Sequence, residues 1–176
     1  MPDLKHHAQV QSTPASGLLA GAPPLGERRR VYLLPGELHA SAEPCQISTI
    51  LGSCVAVCLW DAKLKVGGMN HYLLPAWREG QDSSMRFGDL ATRVLLAKLL
   101  DFGCRRRNIT GKLFGGSAIS QPEDRYLVSL GAKNVAAAQL MLKSAGIPII
   151  AQDSGGSCGR KVVFNTDDGS AWSRRV

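Results

Sequence analysis

The order in which hydrophobic patterns follow one another constrains the fold of this chain more than any other feature. Apolar and β-branched residues form four short segments, separated by glycine, proline and polar residues, before any helical spacing appears. These segments predict strands at 31–34, 46–51, 55–60 and 66–74. The segment at 55–60 is apolar at every position, which indicates a strand that is buried on both faces.

Helical spacing begins only after these strands. Leu95, Leu96, Leu99 and Phe102 recur at intervals typical of one helix face, which predicts an amphipathic helix over about 87–102. Polar and charged residues occupy most of the remaining positions of this segment, as expected for a helix that packs on a core.

A second helix and three further strands complete the predicted elements. The helix is predicted to begin at Asn134, a residue type that favours helix N-termini, and to end at Gly146. Shorter apolar segments predict strands at 112–114, 147–152 and 161–165. Strands that come first, followed by alternating helices and strands, favour an α+β fold with a mixed sheet over a doubly wound parallel sheet.

The composition is that of a globular protein with a basic surface. Its 176 residues are enough for one domain, and we predict a flexible tail over 1–29 followed by a single domain over 30–176. The formal net charge of +7 favours an acidic partner. Aromatic residues make up only 6% and do not alternate with the basic runs, which disfavours a nucleic-acid binder. No stretch approaches the ~20 apolar residues that span a bilayer, so no membrane insertion is expected.

Cysteine usage indicates a reducing compartment. The chain has five cysteines, an odd number, and no export signal precedes them, so we expect a cytoplasmic protein. Three residues separate Cys54 from Cys58, unlike the C-x₂-C pairs of many structural zinc sites, and no second pair follows. The sequence also lacks a phosphate-binding loop and a dinucleotide fingerprint. It therefore predicts neither a metal nor a cofactor.

Cys54 has the setting that best suits a nucleophile. It follows a Gly52-Ser53 turn and precedes the apolar strand at 55–60, so a rigid strand would hold a sulfur that substrate can approach. A free thiol has a pKa of about 8.5 and needs a base at neutral pH. A cysteine in an apolar strand is also commonly a small core residue. Cys158, in a glycine-rich loop, is the alternative reactive thiol.

His71 is the candidate base. On a strand it shares a face with Met69 and Leu73, and it reaches Cys54 if the two strands pair. A lone histidine in an apolar strand is also commonly a satisfied core residue, so the residues alone leave both interpretations open. Asp153 is an alternative third group that would orient the imidazole, and it suits a turn equally well.

Several motifs, in order along the chain, resemble the chemoreceptor glutamine deamidases of the CheD family. The similarity covers about 30–176, and its stretches are LGSCVAVCL (51–59), GGMNH (67–71), LLP (73–75), FGGSA (114–118), LGAKNV (130–135), DSGG (153–156) and GRKVVFNTDDG (159–169). The resemblance implies a layered α/β sandwich in which helices flank mixed β-sheets, similar to the fold of bacterial toxins that deamidate host glutamines.

The same resemblance implies the site residues. The family's cysteine nucleophile falls on Cys54 and its histidine on His71. The family's threonine lies six positions before the cysteine, which is Ser48 here, with Thr49 next to it. A hydroxyl is therefore retained, and either residue is a candidate for orienting the imidazole. The remaining supporting candidates are Gly52 and Ser53.

The resemblance also implies a function and partners. The expected activity is that of a protein-glutamine glutaminase, which converts glutamines of methyl-accepting chemotaxis receptors to glutamates through a cysteine thioester. Hydrolysis of receptor glutamate methyl esters is an expected side activity, and a CheC-type phosphatase is a further implied partner. The arginine runs at 28–30 and 105–107 would suit receptor helices rich in glutamate, although such short runs are also typical of solvated surface.

Two other functions compete with this one. The first is a non-catalytic binding module that regulates a chemotaxis phosphatase or receptor and carries a vestigial thiol at Cys54. The second is a nucleic-acid binder, which only the basic charge supports. Substitution of Cys54 separates the enzyme from the binding module.

Overall fold

The computed structural model describes residues 28–82, 84–118 and 125–176. Over these residues the chain forms nine strands, two α-helices and one 3₁₀ turn. In chain order they are β1 Arg29–Tyr32, β2 Glu37–Ser41, β3 Cys45–Leu51, β4 Val55–Asp61, β5 Val66–His71, α1 Gly88–Asp101, the 3₁₀ turn Arg106–Asn108, β6 Ile109–Gly115, α2 Arg125–Ser144, β7 Ile149–Ser154, β8 Arg160–Asn165 and β9 Ala171–Arg175.

The strands form two sheets. Five strands, in the order β2-β5-β4-β6-β7, make up what we call the central sheet, and four strands, in the order β1-β3-β8-β9, make up the outer sheet. Both sheets are mixed, since β1 is parallel to β3 and β6 is parallel to β7, whereas the other neighbours are antiparallel.

The central sheet lies between the helices and the outer sheet. On one face of β4, Val57 and Leu59 pack with Leu95 of α1 and Leu142 of α2. The other face, formed by residues such as Ala56, packs against the outer sheet in a second core cluster. β4 is therefore buried on both faces, as its apolar sequence predicts. The predicted α+β layered sandwich with mixed sheets and flanking helices is confirmed.

A glycine sets the distance between α1 and the central sheet. A Cβ atom at Gly68 of β5 would lie 2.7 Å from Leu95 Cδ1 and 2.7 Å from the His39 carbonyl oxygen. Only glycine leaves room for that helix side chain, so α1 lies directly over the strand that ends at His71.

The structure corrects one predicted helix end and adds two strands. α2 begins at Arg125, so Asn134 lies inside the helix, where its side chain is fully buried, and does not cap it. β2 and β9 were not predicted, because both are short edge strands of mixed polarity that depend on pairing with β5 and β8.

The N-terminal segment falls largely outside the described residues. Of the predicted tail over 1–29, only Arg28 and Arg29 are described. Arg28 binds the carboxylates of Asp167 and Asp168 at 2.9 and 3.0 Å, and Arg29 begins β1. Across the residues that the structure describes, neither helix combines the length and hydrophobicity needed to cross a membrane.

Candidate active site

Cys54 and His71 lie on adjacent chain segments and face the same way. The backbones of Val55 and Tyr72 exchange two hydrogen bonds, of 3.1 and 3.0 Å, so these residues are directly opposite each other. Cys54 therefore lies opposite Leu73 and diagonal to His71, a separation of about 7–8 Å between Cα atoms. Val55 and Tyr72 point toward the helices. Since side chains alternate, Cys54 and His71 point toward the outer sheet.

His71 is held by a hydroxyl from the outer sheet. Its side chain is buried, and its Nδ1 lies 2.8 Å from Thr49 Oγ1. The same hydroxyl donates its one hydrogen to the Leu33 carbonyl at 2.8 Å. Thr49 must then accept a hydrogen bond from Nδ1–H, which places the proton on Nδ1 and leaves the lone pair on Nε2.

The Nε2 atom has no hydrogen-bond partner among the described residues, although it is buried. Burial lowers the pKa of His71 below its ordinary value, against the opposing effects of the Leu33 carbonyl and the Glu37 carboxylate. The imidazole is therefore neutral near pH 7, with a free basic nitrogen on the face that also carries Cys54.

Cys54 is half-buried at the point where a bend leads into β4. Burial raises the pKa of its thiol, and its own backbone N–H, which hydrogen-bonds the sulfur, offsets part of that shift. At neutral pH the sulfur consequently carries its proton, and a neighbouring base is needed to make it nucleophilic.

The structure distinguishes the two hydroxyl candidates on β3. Thr49 is fully buried and faces the central sheet, where it contacts His71. Ser48 points to the opposite side of β3, and its Oγ lies 3.5 Å from the Val31 carbonyl. The expectation that Ser48 orients the imidazole is not supported by this geometry, because adjacent residues of a strand face opposite ways.

Backbone hydrogen bonds hold the segment of Gly52, Ser53 and Cys54 in place, and those of Gly52 and Cys54 come from one neighbouring loop. The Gly52 carbonyl accepts a hydrogen bond from the Ser117 N–H at 2.8 Å, and the Cys54 carbonyl accepts one from the Gly116 N–H at 2.8 Å. Gly115 has a φ of 106° and lies so close to the Cys54 carbonyl that a Cβ atom there would collide with it. The FGGSA motif thus forms a loop that packs directly on the segment that carries Cys54.

Asn134 is the main residue of the site that the sequence did not identify. Its Nδ2 donates to the Ser53 carbonyl at 3.0 Å and to the Leu73 carbonyl at 2.8 Å. It therefore joins the residue before Cys54 to the segment that follows His71. The sequence offered one indication of this role, which is that Asn134 is a polar residue beside the apolar face of the predicted second helix.

Asp153 does not reach His71. Its carboxylate accepts a hydrogen bond from the Ser173 hydroxyl and lies 3.6 Å from the guanidinium of Arg160. Arg160 is buried and donates to the Gly115 carbonyl at 3.0 Å and to the Gly155 carbonyl at 2.5 Å. One arginine thus holds the glycine loop of FGGSA and the glycine loop of DSGG side by side.

The other cysteines are placed less favourably for catalysis. Cys45, Cys58 and Cys104 are buried, and burial raises the pKa of each thiol, that of Cys104 to about 11 with help from the Asp61 carboxylate. Cys158 is exposed on the loop between β7 and β8, and its sulfur lies 4.0 Å from Ser157 Oγ. No group of three or more histidine, cysteine or acidic side chains suited to a metal ion occurs within the described parts of the chain.

Known proteins similar to this chain carry names that agree with the resemblance. It is 43% identical over 169 residues to the "Probable chemoreceptor glutamine deamidase CheD 1" of Anaeromyxobacter dehalogenans, covering 96% of each chain. It is 39% identical to the "Probable chemoreceptor glutamine deamidase CheD" of Trichlorobacter lovleyi over 80% of this chain and 87% of the relative. The corresponding protein of Rhodospirillum rubrum is 41% identical over 82% and 81%.

A solved structure and a family model extend the comparison. The crystal structure of Bacillus licheniformis hypothetical protein YfiH matches with a TM-score of 0.43 and 14% identity, over 68% of this chain and 51% of that one. A family model described as "CheD chemotactic sensory transduction" matches residues 73–175, more than half of the chain. Together with relatives that are similar over nearly its whole length, this match shows that the chain belongs to the CheD family of chemotactic sensory transduction proteins.

Proposed function

We propose that this protein is a cytoplasmic deamidase that converts glutamine side chains of methyl-accepting chemotaxis receptors to glutamate, with Cys54 as nucleophile and His71 as base. The observation that carries the proposal is the state of His71. Its imidazole is buried on the sheet face that also carries Cys54, its Nδ1–H is bound by Thr49, and its Nε2 has no partner among the residues that the structure describes. The names of the relatives supply the substrate class.

The first half of the reaction forms a thioester. Nε2 of His71 takes the proton of the Cys54 thiol, and the sulfur attacks the carbon of the glutamine carboxamide. The resulting oxyanion is stabilised by backbone donors, among which the N–H of Cys54 is a candidate. Loss of one such donor costs roughly 10²–10³ in rate in a well-studied hydrolase. His71 then returns the proton to the departing nitrogen, which leaves as ammonia.

The second half releases glutamate. His71, neutral again after ammonia leaves, takes a proton from water, and the hydroxide attacks the thioester carbonyl. The carbon–sulfur bond breaks, and the proton returns to the sulfur. Thr49 acts as a positioning residue in both halves, because it keeps the Nδ1 proton in place while Nε2 exchanges protons.

Two further properties belong to the same proposal. A glutamate methyl ester presents the same carbonyl to Cys54, with methanol as leaving group, so we propose methylesterase activity at this site. The second proposed partner is a CheC-type phosphatase, which would compete with receptor for the protein. A non-catalytic binding module remains the alternative that the following experiment tests.

Incubation of a chemoreceptor cytoplasmic fragment with the protein tests the proposal. Ammonia release and mass spectrometry of receptor peptides would be compared for wild type, Cys54→Ala and Cys158→Ala, the last being a matched removal of an exposed thiol outside the site. We expect conversion of defined glutamines by wild type and Cys158→Ala, and none by Cys54→Ala. Receptor binding without conversion by any of the three would establish the binding module, and conversion by Cys54→Ala would exclude Cys54 as nucleophile.

A further inference from the structure

The outer sheet has one face that neither helix covers. Both helices pack on the central sheet, and the inward face of the outer sheet packs on that sheet's other side. The opposite face carries exposed large apolar side chains, with Tyr32 52% exposed, Ile50 49% and Trp172 45%, around Val163, which is only 3% exposed. A sheet face with several exposed large apolar residues commonly marks an interaction surface.

Tyr32 and Trp172 stand at the two ends of a row that crosses the sheet, and Ile50 lies beside this row, next to Lys161. Strand pairing places Tyr32 of β1 next to Ser48, Ser48 next to Val163, and Val163 next to Trp172 of β9. The two aromatic side chains therefore stand on the two edge strands, three strand spacings or about 14 Å apart. An α-helix has a diameter of about 10–12 Å with its side chains, so one helix fits between them along the strands.

The charges on this face have one sign. Arg30 lies on one side of the row, and Lys161 and Arg174, which pair across β8 and β9, lie on the other. None of these three cations forms an ion pair with another described residue. The strands β1, β3, β8 and β9 contain no aspartate or glutamate. The face therefore complements a helix that runs along the strands, with apolar side chains where it crosses the row and acidic side chains on either side of that crossing.

We propose that this face docks an acidic amphipathic α-helix of the substrate receptor outside the catalytic pocket. The inference rests on the proposed function, because it takes the helix to belong to the deamidated protein. Ile50 on this face precedes Cys54 by four residues, so the docking surface and the nucleophile are within about 13 Å along the chain. One receptor segment can thus contact the face while a neighbouring glutamine enters the site.

Other occupants fit the face less well. Residues 1–27 contain only Asp3, Lys5 and Glu27 as charged residues besides two histidines, so this segment offers little acidic charge to the three cations. A second copy of the chain would bring like charges together, which opposes association. Single-stranded nucleic acid prefers aromatic rings in succession, whereas Tyr32 and Trp172 stand at opposite edges of the sheet.

The test compares two charge reversals in the full-length protein. Lys161→Glu/Arg174→Glu changes the proposed face, and Arg106→Glu/Arg107→Glu makes the same change in charge at an exposed turn outside both sheets. Binding to a labelled chemoreceptor cytoplasmic fragment would be measured at low and high salt, together with kcat and KM for that fragment and for a short glutamine peptide. Trp172→Ser is measured in parallel as a variant that alters only the apolar row.

We expect the reversal on the face to raise both Kd and KM for the receptor fragment about tenfold at low salt, and less at high salt, since surface charges are screened. Turnover of the short peptide should be unchanged, and the control reversal should leave Kd within about twofold. Trp172→Ser should raise Kd at both salt concentrations. Equal weakening by the two reversals would overturn the proposal, because it would show a general effect of net charge.

Three further results would contradict the docking surface. The first is shielding of Trp172 from iodide quenching in the free protein, which would mean that the chain or a second copy already covers it. The second is binding of a 20-nucleotide single strand with the same dependence on Lys161 and Arg174, without binding of the receptor fragment. The third is conversion of receptor glutamines with Kd and KM unaffected by the reversal on the face. That result would refute the docking surface and would still support the proposed deamidase activity. Receptor binding through this face without conversion would keep the docking surface and refute the deamidase instead.

Discussion

Replacing Thr49 by valine is the sharpest test of how the site is built. The substitution keeps the shape of a fully buried side chain and removes only the hydroxyl that bridges His71 Nδ1 and the Leu33 carbonyl. Without it, Nδ1 has a weaker hold on its proton, and the alternative tautomer places a proton on Nε2, where the base is needed.

The magnitude follows from the two hydrogen bonds that are lost. Each contributes a net of about 0.5–1.5 kcal/mol, so the pair amounts to about 1–3 kcal/mol. If that energy is lost from the transition state, kcat falls roughly 5- to 150-fold, because 1.36 kcal/mol corresponds to a factor of ten. The fall in kcat is closer to the lower limit if the Leu33 carbonyl, which already interacts with the imidazole, accepts the hydrogen bond from Nδ1–H in place of Thr49. The free energy of unfolding should fall by a similar amount, since buried polar groups lose partners.

Ser48→Ala is the matched control, because it removes a hydroxyl from the neighbouring residue on the other face of β3. Among the described residues its hydroxyl makes one long hydrogen bond, to the Val31 carbonyl at 3.5 Å, so we expect kcat within about twofold of wild type and a stability change below about 0.5 kcal/mol. Ammonia release from the receptor fragment gives kcat and KM, and thermal unfolding gives stability. Thr49→Ser, which keeps the hydroxyl, should restore most of kcat. A loss for Ser48→Ala as large as that for Thr49→Val would refute the assignment of the orienting hydroxyl.

Three other predictions use the same assays. Asn134→Asp loses both N–H donors and places a buried carboxylate beside the Ser53 and Leu73 carbonyl oxygens, so the free energy of unfolding, measured by chemical denaturation, should fall by roughly 2–4 kcal/mol. Unchanged stability of this variant would show that the two hydrogen bonds of Asn134 are dispensable. The acid limb of kcat/KM should lie below pH 6.5, because burial lowers the pKa of His71 and the base stays neutral until the pH falls through that lowered value; a limb above pH 6.5 would contradict this. Iodoacetamide should label Cys54 and Cys158 in the native protein and the other three thiols only after unfolding, with activity lost in step with Cys54 alone, as peptide mass spectrometry would show.

Local patterns were sufficient to predict most of the elements that carry the site. The apolar run at 55–60 became β4, the segment ending before Pro75 contains β5, and the leucine spacing gave α1 within one residue at each end. These elements are long or strongly patterned, so the surrounding fold has little to override. The α+β class followed from their order.

Tertiary contacts determined what the sequence left open. The resemblance placed the family's threonine on Ser48, whereas the alternation of β3 puts Thr49 on the more apolar face, with Cys45, Ile47 and Leu51. Only the packing of the two sheets shows that this face brings Thr49 to His71. Asn134 was assigned to a helix end because asparagine usually belongs there. Inside α2 its amide instead satisfies two carbonyls that lie 61 and 81 residues away in sequence, and no local rule anticipates such partners.

The site therefore draws on all three layers of the fold. The proposed nucleophile and base come from the central sheet, the hydroxyl that contacts the imidazole comes from the outer sheet, and the amide that joins the two segments comes from the helical layer. This arrangement separates two kinds of site residue. Cys54 is half-buried at the margin of the core cluster between the sheets, so its loss should stop catalysis with a small change in stability. Thr49 and Asn134 are fully buried between layers, so their loss should lower activity and stability together, and this difference identifies positioning residues without any knowledge of the substrate.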